Sequence, residues 1–275
     1  MLRLDRRAIA NVCGRTGNSI RNERTMTSLK DTIRQTGRSP IFRVSWSEAK
    51  LAELRREGAR KIQLAATQRQ AQFDLHLSWA KLLDLVTDPV IISHHADVFA
   101  EDSFQLIETR LYPKPPQKGE DWHIDFYQLL YYKPSLLDTD LDDFHSVTTW
   151  LALADVPAEM GPLQFIHYKH IDVRRLVRMQ RNRPIRYREE CRREAERLHD
   201  HVETMPMKAG EFCMFDPRNL HTGAANRSND LRLGLVLRYC ASHVRVDPRF
   251  SKTGSPEILH IRNGKVSSRV GNSLS

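Results

Sequence analysis

The chain has 275 residues, of which 40% are hydrophobic and 28% are charged, and this composition excludes a chain that is disordered over most of its length. No run of about 18 uninterrupted apolar residues is present, so we expect no transmembrane helix and no membrane partner. The formal charge of +9 permits binding to nucleic acid or to an acidic small molecule.

The chain begins with a basic segment and continues with a helical one. Residues 1–25 carry six arginines and two acids but no apolar stretch, which excludes a secretory signal and predicts a disordered leader. Residues 45–90 are predicted to be mainly helical, because a capping box is followed by apolar residues at helical spacing. At the other end, residues 251–275 are rich in glycine and serine, and we expect a flexible tail there.

Segments typical of β-strands follow from residue 100 onwards. They are rich in β-branched and aromatic residues and are separated by turn residues. They lie at residues 104–112, 122–132, 146–156, 163–168, 211–215 and 231–246. Many short strands in one chain predict a sandwich or a barrel, of which the jelly roll is one form. Residues 171–200, with ten arginines, predict a helical insertion that is either a solvated helix or a lid.

Three residues have the character and spacing of metal ligands. His123 and Asp125 are two positions apart on a predicted strand, so both side chains face the same side, and His221 on a distant strand can complete the set. Two histidines and one carboxylate with open coordination positions are typical of non-haem Fe(II) oxygenases, although the same residues can hold zinc. A second pair of this spacing, His95 and Asp97, is the weaker candidate, and we expect His95 on the surface or only partly packed.

An alternating segment places two arginines on the predicted inner face of a strand. Arg232, Gly234, Val236 and Arg238 are two positions apart in succession and therefore share that face. An arginine that faces a protein interior needs an anion, because an unpaired buried charge is very costly. For Arg232 the anion is either a dicarboxylate cosubstrate or a structural ion-pair partner. Arg238 is the alternative residue for binding the cosubstrate, or it contacts the substrate.

Four motifs occur in a fixed order between residues 90 and 245. They are Trp122-His123-Ile124-Asp125-Phe126, the segment 148–156 followed by Gly161-Pro162-Leu163, the segment 209–215, and His221 followed by Asn226-Arg227-Ser228 and Arg232. Together they resemble the motifs of the phytanoyl-CoA dioxygenase family of Fe(II)/2-oxoglutarate-dependent oxygenases. The resemblance implies a mainly β fold with flanking helices, with a double-stranded β-helix (jelly-roll, cupin-like) core over residues 100–245. Because the implied site spans residues 123–232, we expect a single domain over residues 26–250.

The resemblance also implies a role for each matching residue. The iron ligands would be His123, Asp125 and His221. Arg232 would bind the distal carboxylate of 2-oxoglutarate, and Trp150 lies on a strand that lines the cosubstrate pocket in this family. The family often has a serine two residues after the distal histidine, where this chain has Gly223. Either Thr222 replaces the contact of that serine with 2-oxoglutarate, or the contact is lost.

The implied activity is hydroxylation of an unactivated C–H bond, in which O2 and 2-oxoglutarate are consumed and succinate and CO2 are released. Asp125 favours hydroxylation over chlorination, because related halogenases have a small residue in its place. We expect the substrate to be a small polar or anionic molecule. Its predicted contacts are Tyr127, Gln128, Tyr131 and Arg238, although both tyrosines are also typical of a strand core.

Other classes of function remain open at this point. The jelly roll can be a catalytically silent binding module, and the oxygenase can act on an acyl-CoA or on nucleic acid. The positive charge is concentrated in two segments: residues 1–25 have six arginines and two acids, and residues 171–200 have ten arginines and six acids, which gives +4 each. Because the charge is confined to these segments, nucleic acid is not the expected partner. None of the four cysteines has a partner at the spacing of a zinc finger or thioredoxin motif, which predicts a reduced, cytoplasmic protein. No feature of the sequence determines the oligomeric state.

Overall fold

The computed structural model describes residues 28–65, 73–125, 145–244 and 258–270 of the chain. Six helices lie in these ranges, four before the first long strand and two between the fourth and fifth strands. They are α1 (Leu29–Thr36), α2 (Glu48–Ala65), α3 (Ala80–Val86), α4 (Pro89–Phe99), α5 (Val173–Asn182) and α6 (Pro184–Arg197). None of the helices in the described ranges has both the length and the apolar character that crossing a membrane requires.

The strands of the described residues form two antiparallel sheets. They are β1 (Phe42–Arg43), β2 (Ser103–Lys114), β3 (Ser146–Ala152), β4 (Leu163–Ile166), β5 (Val202–Met205), β6 (Glu211–Phe215), β7 (His221–Gly223), β8 (Arg232–Ala241), β9 (Ile258–Arg262) and β10 (Lys265–Val270). The larger sheet has the order β1-β6-β3-β8-β2-β9-β10 and the smaller one the order β5-β4-β7. All residues of the central strand β8 are buried, so both of its faces are covered.

The two faces of the larger sheet pack against different partners. Neighbouring residues of a strand point to opposite faces, and Leu235 and Val236 of β8 accordingly belong to different apolar clusters. Val236 and Trp150 pack with Phe165 of the smaller sheet, which closes a sandwich. Leu235 lies in the cluster that includes Leu54 of α2 and residues of α3 and α4. The helices therefore cover the outer face, and the space between the sheets is left for a site.

The C-terminal part of the described chain differs from the predicted flexible tail. β9 and β10 form a hairpin, and β9 pairs with β2 in the larger sheet. Leu259 and Ile261 alternate along β9 and are fully buried. Two apolar residues at a spacing of two are enough to give a short strand one buried face, and the glycine and serine content of the whole segment obscures this pattern.

The helical region extends past residue 90, and this changes the setting of His95. α4 begins at Pro89, whose fixed φ suits the first turn of a helix, and continues to Phe99. His95 on this helix is fully buried instead of lying on the surface, and its Nε2 lies 3.0 Å from the hydroxyl of Thr149. Residues two apart on a helix point in different directions, so His95 and Asp97 do not form a metal-binding pair.

Candidate metal centre

Two of the predicted ligands are held by a direct backbone contact. His221 is the first residue of β7 and forms an isolated antiparallel bridge with His123. The two residues exchange both backbone hydrogen bonds, with N–O distances of 2.9 and 3.0 Å. Directly paired residues share one face of a sheet, and the two ring centroids are 4.4 Å apart. Within residues 122–125 this bridge takes the place of the predicted strand 122–132, and the rest of that strand lies outside the described residues.

Both imidazoles present their Nε2 atoms as lone-pair donors. Nδ1 of His123 lies 2.7 Å from the carbonyl oxygen of Asp121, and Nδ1 of His221 lies 2.8 Å from that of Asn219. A carbonyl only accepts hydrogen bonds, so Nδ1 carries the proton in each ring and Nε2 is free to bind a metal ion. Burial lowers the pKa of His221 to about 4, which keeps this ring neutral at neutral pH.

The carboxylate of Asp125 faces the two Nε2 atoms. Its oxygens lie 3.7 Å from Nε2 of His123 and 4.0 Å from Nε2 of His221. One ligand atom from each of the three residues lies within 4.8 Å of the others. The backbone N–H of Asp125 donates to the carbonyl of Pro217 at 2.7 Å, which holds this end of the segment. The three predicted ligands therefore form one cluster of two nitrogens and a carboxylate.

A buried arginine orients the Asp125 carboxylate. Nη2 of Arg238 donates to Oδ2 of Asp125, and Nη1 donates to Oε2 of Glu108, both at 2.7 Å. Glu108 and Arg238 lie directly opposite each other in β2 and β8. Burial alone would raise the pKa of Asp125, but the Arg238 guanidinium and the two imidazoles hold that pKa well below its ordinary value. Asp125 is therefore ionised, as a metal ligand must be.

Arg232 is a fully buried cation with unpaired donors. Its Nη1 donates to the carbonyl of Gly161 at 2.5 Å, but Nε and Nη2 have no hydrogen-bond partner in the described part of the chain. The guanidinium carbon lies 5.3 Å from the ring centroid of Trp150. Trp150 packs closely on β8 because Gly234 has no side chain, and a Cβ there would lie 2.4 Å from the ring. Unpaired donors on a buried cation indicate an anionic ligand.

Lys114 is a second buried cation beside Arg232, and sequence reasoning missed it. The two residues are paired directly across β2 and β8, and the Lys114 side chain is 1% exposed. Its Nζ donates to the carbonyl of Ala224 at 3.0 Å and lies 3.7 Å from the carboxylate of Glu120. Burial, followed by the charge of Arg232, lowers the pKa of Lys114 to about 8. Only the register of the two strands reveals this pairing.

Lys114 also takes the space that a side chain at position 223 would need. A Cβ on Gly223 would lie 2.1 Å from Nζ of Lys114 and 3.1 Å from Nη1 of Arg232. Thr222 faces the other side of β7, where its hydroxyl donates to the carbonyl of Glu120 at 2.7 Å, and it does not line the cavity described below. The hydroxyl of Thr222 thus points away from the cavity, and Nζ of Lys114 occupies the space beside Gly223, so the contact of Thr222 with 2-oxoglutarate stays a prediction.

The family model described as phytanoyl-CoA dioxygenase (PhyH) matches residues 23–234. The chain belongs to the phytanoyl-CoA dioxygenase family. The resemblance carried by the sequence motifs is thereby confirmed. No curated protein matches the chain at a significant level.

Several solved structures share the fold at low sequence identity. The non-heme monooxygenase ThoJ in complex with nickel is 17% identical with a TM-score of 0.58, covering 80% of this chain and 79% of that one. EctD from S. alaskensis with bound Fe is 18% identical with a TM-score of 0.58, covering 79% and 77%. The alpha-ketoglutarate-dependent epimerase SnoN from nogalamycin biosynthesis is 17% identical with a TM-score of 0.55, covering 78% and 82%. These similarities confirm the mainly β fold with flanking helices and a jelly-roll core.

A cavity of about 580 Å³ opens onto the cluster of ligand residues in this member of the phytanoyl-CoA dioxygenase family. Its lining includes the three ligand residues and Trp150, Arg232 and Arg238. This volume is within the usual range of pockets for small molecules. The guanidinium of Arg238 is held by two carboxylates, so its predicted contact with substrate stays a prediction. Tyr127, Gln128 and Tyr131 lie outside the described residues.

The arginine-rich segment 171–200 contributes to the cavity wall. It contains α5 and α6, from which Gln180, Tyr187 and Arg188 line the cavity. The Gln180 amide and the Tyr187 hydroxyl donate to the carbonyl of Ile124 at 3.0 and 3.2 Å, and the Ile124 N–H donates to the Tyr187 hydroxyl at 2.5 Å. Ile124 lies between His123 and Asp125, two of the predicted metal ligands, so the helix pair directly contacts the segment that carries them.

Proposed function

We propose that this protein is an Fe(II)- and 2-oxoglutarate-dependent oxygenase that hydroxylates an unactivated C–H bond of a small polar or anionic molecule. One observation carries the proposal: the cavity that receives three ligand atoms also receives the unpaired N–H groups of the buried Arg232. Membership of the family supports it, as do related structures of EctD with Fe and with 2-oxoglutarate and 5-hydroxyectoine. Other neighbours are an epimerase and a carbocyclase, so the type of oxidation rests on this proposal alone.

The residues present fit both groups. His123, Asp125 and His221 would hold Fe(II) through two nitrogens and one carboxylate, which is the ligand set that leaves coordination positions open on this metal. Arg232 and Lys114 would hold the distal carboxylate of 2-oxoglutarate, because two buried cations side by side are stabilised by an anion between them. A site that held only zinc would give the unpaired donors of Arg232 no partner.

The chemistry supplied by Fe(II), 2-oxoglutarate and O2 is oxidation of a C–H bond with release of succinate and CO2. The side chains of the chain position these groups. The backbone carbonyls of Asp121 and Asn219 fix the orientation of the two imidazoles, and Arg238 fixes that of the Asp125 carboxylate. Trp150, Leu163 and Val236 line the cavity that the predicted ligands and Arg232 share, and these apolar side chains limit the access of water.

The test is to load the protein with Fe(II) and 2-oxoglutarate without oxygen, admit O2 with a set of metabolites that includes acyl-CoAs, and measure succinate. We expect succinate from the unchanged chain and none from Asp125→Ala or His221→Ala. Arg232→Leu should raise the KM for 2-oxoglutarate by about tenfold or more, since a charge-assisted hydrogen bond contributes about 1.5–3 kcal/mol. Arg55→Gln, at an exposed position on α2, is the control.

Full activity of His221→Ala would overturn the assignment of the ligands. Binding of small molecules without any consumption of 2-oxoglutarate would instead identify a catalytically silent binding module. Activity with zinc in place of iron, and without 2-oxoglutarate, would point to a zinc enzyme.

A further inference from the structure

One face of β2 carries a polar or aromatic side chain at every second position. The four residues are Glu108, Arg110, Tyr112 and Lys114, and they lie opposite Arg238, Val236, Gly234 and Arg232 of β8 in that order. Directly opposite residues of antiparallel strands share one face, so all of these positions face the space between the two sheets. Two of the four, Arg110 and Tyr112, line the cavity.

Three of the charged residues of the cavity wall, Glu120, Asp125 and Arg238, form ion pairs within the described part of the chain. Asp125 pairs with Arg238, and Glu120 pairs with Lys114. Arg232 lies directly opposite Lys114, and the proposed function assigns both cations to the distal carboxylate of 2-oxoglutarate. Arg110 forms no ion pair with any carboxylate of the described residues, and its Nε is buried without a hydrogen-bond partner there. The cavity therefore presents a cation that the proposed iron and cosubstrate do not use.

The guanidinium of Arg110 is held in place by two aromatic rings. Its central carbon lies 4.5 Å from the ring centroid of Phe73 and 4.7 Å from that of Tyr112. Stacking on rings leaves the N–H groups at the edge of the guanidinium plane available, and that edge matches a carboxylate or a phosphate. A side chain that is already fixed loses less conformational freedom when a ligand binds.

Arg110 and the three predicted metal ligands line the same cavity, and the strand register shows how they are connected. Glu108 is two residues earlier on β2, about 7 Å along the strand, and it contacts Arg238, which contacts Asp125. Arg110 is also directly opposite Val236, and Trp150 flanks Val236 on the other side. A molecule bound to Arg110 at one end therefore has its other end near the ligand cluster and the Trp150 wall.

We propose that Arg110 binds the anionic group of the primary substrate, and that the substrate is a small organic acid with a carboxylate or a phosphate. This inference rests on the proposed function, because it takes the place beside Arg232 as that of 2-oxoglutarate. Arg188 of α6, which lines the same cavity and is exposed at its rim, adds positive charge that favours entry of an anion.

The test measures binding of simple anions to the loaded protein without oxygen. The protein is saturated with Fe(II) and 2-oxoglutarate, so that Arg232 is engaged, and is then titrated calorimetrically with propionate, methyl phosphate and the neutral propionamide. We expect both anions to bind more tightly than propionamide, and the tighter of the two identifies the acid group. Arg110→Gln should weaken anion binding by about tenfold or more, and by more than it weakens 2-oxoglutarate binding.

Two further variants sharpen the result. Arg110→Lys keeps the charge but loses the planar fork, so its affinity should fall between those of the unchanged chain and Arg110→Gln. Arg55→Gln removes an exposed arginine of α2 that does not line the cavity, so this variant should bind the anions as the unchanged chain does. Equal anion binding in Arg110→Gln, or binding of both anions no tighter than that of propionamide, overturns the inference. Failure of the unchanged chain to bind Fe(II) or 2-oxoglutarate overturns the proposed function as well, whereas normal loading without anion binding overturns this inference alone.

Discussion

The ion pairs around Arg238 lead to a prediction about stability that does not depend on any bound group. Arg238 and Glu108 are 6% and 5% exposed, and the guanidinium donates to Glu108 and to Asp125 at 2.7 Å each. Arg238→Met removes the cation that binds the buried carboxylates of Glu108 and Asp125. Removing one partner of a buried ion pair costs about 3–5 kcal/mol.

Glu108→Gln is the matched perturbation. The amide oxygen still accepts a hydrogen bond from Arg238, and the guanidinium keeps its pair with Asp125, so we expect a loss of only about 1–2 kcal/mol. The two variants should thus differ by about 1–4 kcal/mol, and a difference of about 2 kcal/mol corresponds to roughly 4–8 °C in Tm for a chain of this size. Urea unfolding of the metal-free protein, followed by tryptophan fluorescence, measures both free energies of unfolding.

The pH dependence gives this prediction a second readout. Burial raises the pKa of the Asp125 carboxyl, and the Arg238 guanidinium is the strongest influence that lowers it. In Arg238→Met the folded-state pKa of Asp125 should therefore rise, so the stability that its protonated form contributes is lost as pH rises through the raised pKa. The deficit of Arg238→Met should therefore be smaller at about pH 5.5 than at about pH 7.5. The reasoning is refuted if Glu108→Gln costs as much as Arg238→Met, or if acid does not reduce the deficit.

Two further predictions concern the cations proposed to bind 2-oxoglutarate. Gly223→Ala should weaken 2-oxoglutarate binding about tenfold, because the new methyl group would displace Nζ of Lys114 from its position 2.1 Å away. In the control variant Gly119→Ala the new methyl group has its nearest neighbour at 3.6 Å, so 2-oxoglutarate should bind normally. Calorimetry with Mn(II) in place of Fe(II) compares the two variants, and equal affinities would contradict the account. Lys114 faces Arg232 and Glu120 and has a pKa of about 8, so its charge is lost as the pH rises through that value. The Kd for 2-oxoglutarate should therefore rise between about pH 7 and pH 9 in the unchanged chain but not in Lys114→Met.

The cluster of ligand residues was accessible to sequence reasoning because its pattern is local. His123 and Asp125 are two positions apart, and His221 stands in a motif at a fixed distance from Arg232. The structure brings the three together as the spacing predicts, although a bridge with His221, and not a long strand, holds His123. The side chains of His123 and Asp125 point to the same side in either case, because the backbone of a few residues differs little between an isolated bridge and a strand.

The other cations of the cavity could not be placed in this way, since their positions depend on strand register. β2 contains an irregularity between Leu106 and Glu108, and a slip of one residue would move every later side chain to the other face. No single segment shows that Lys114 meets Arg232 or that Glu108 meets Arg238. The fold of residues 258–270 was missed for a related reason, since its burial depends on pairing with a strand about 150 residues earlier.

The contact between the helix pair and Ile124 divides the arginine-rich segment into two parts with different mechanical roles. Gln180 and Tyr187 hold the backbone between two ligand residues, so a change at either position would disturb the ligand geometry for every substrate. Arg188 lines the cavity without touching that backbone, and the outer arginines face solvent. Substitutions at the rim and exterior of this segment would therefore change the entrance of the cavity without moving the backbone of Ile124, whereas substitutions at Gln180 or Tyr187 would release it.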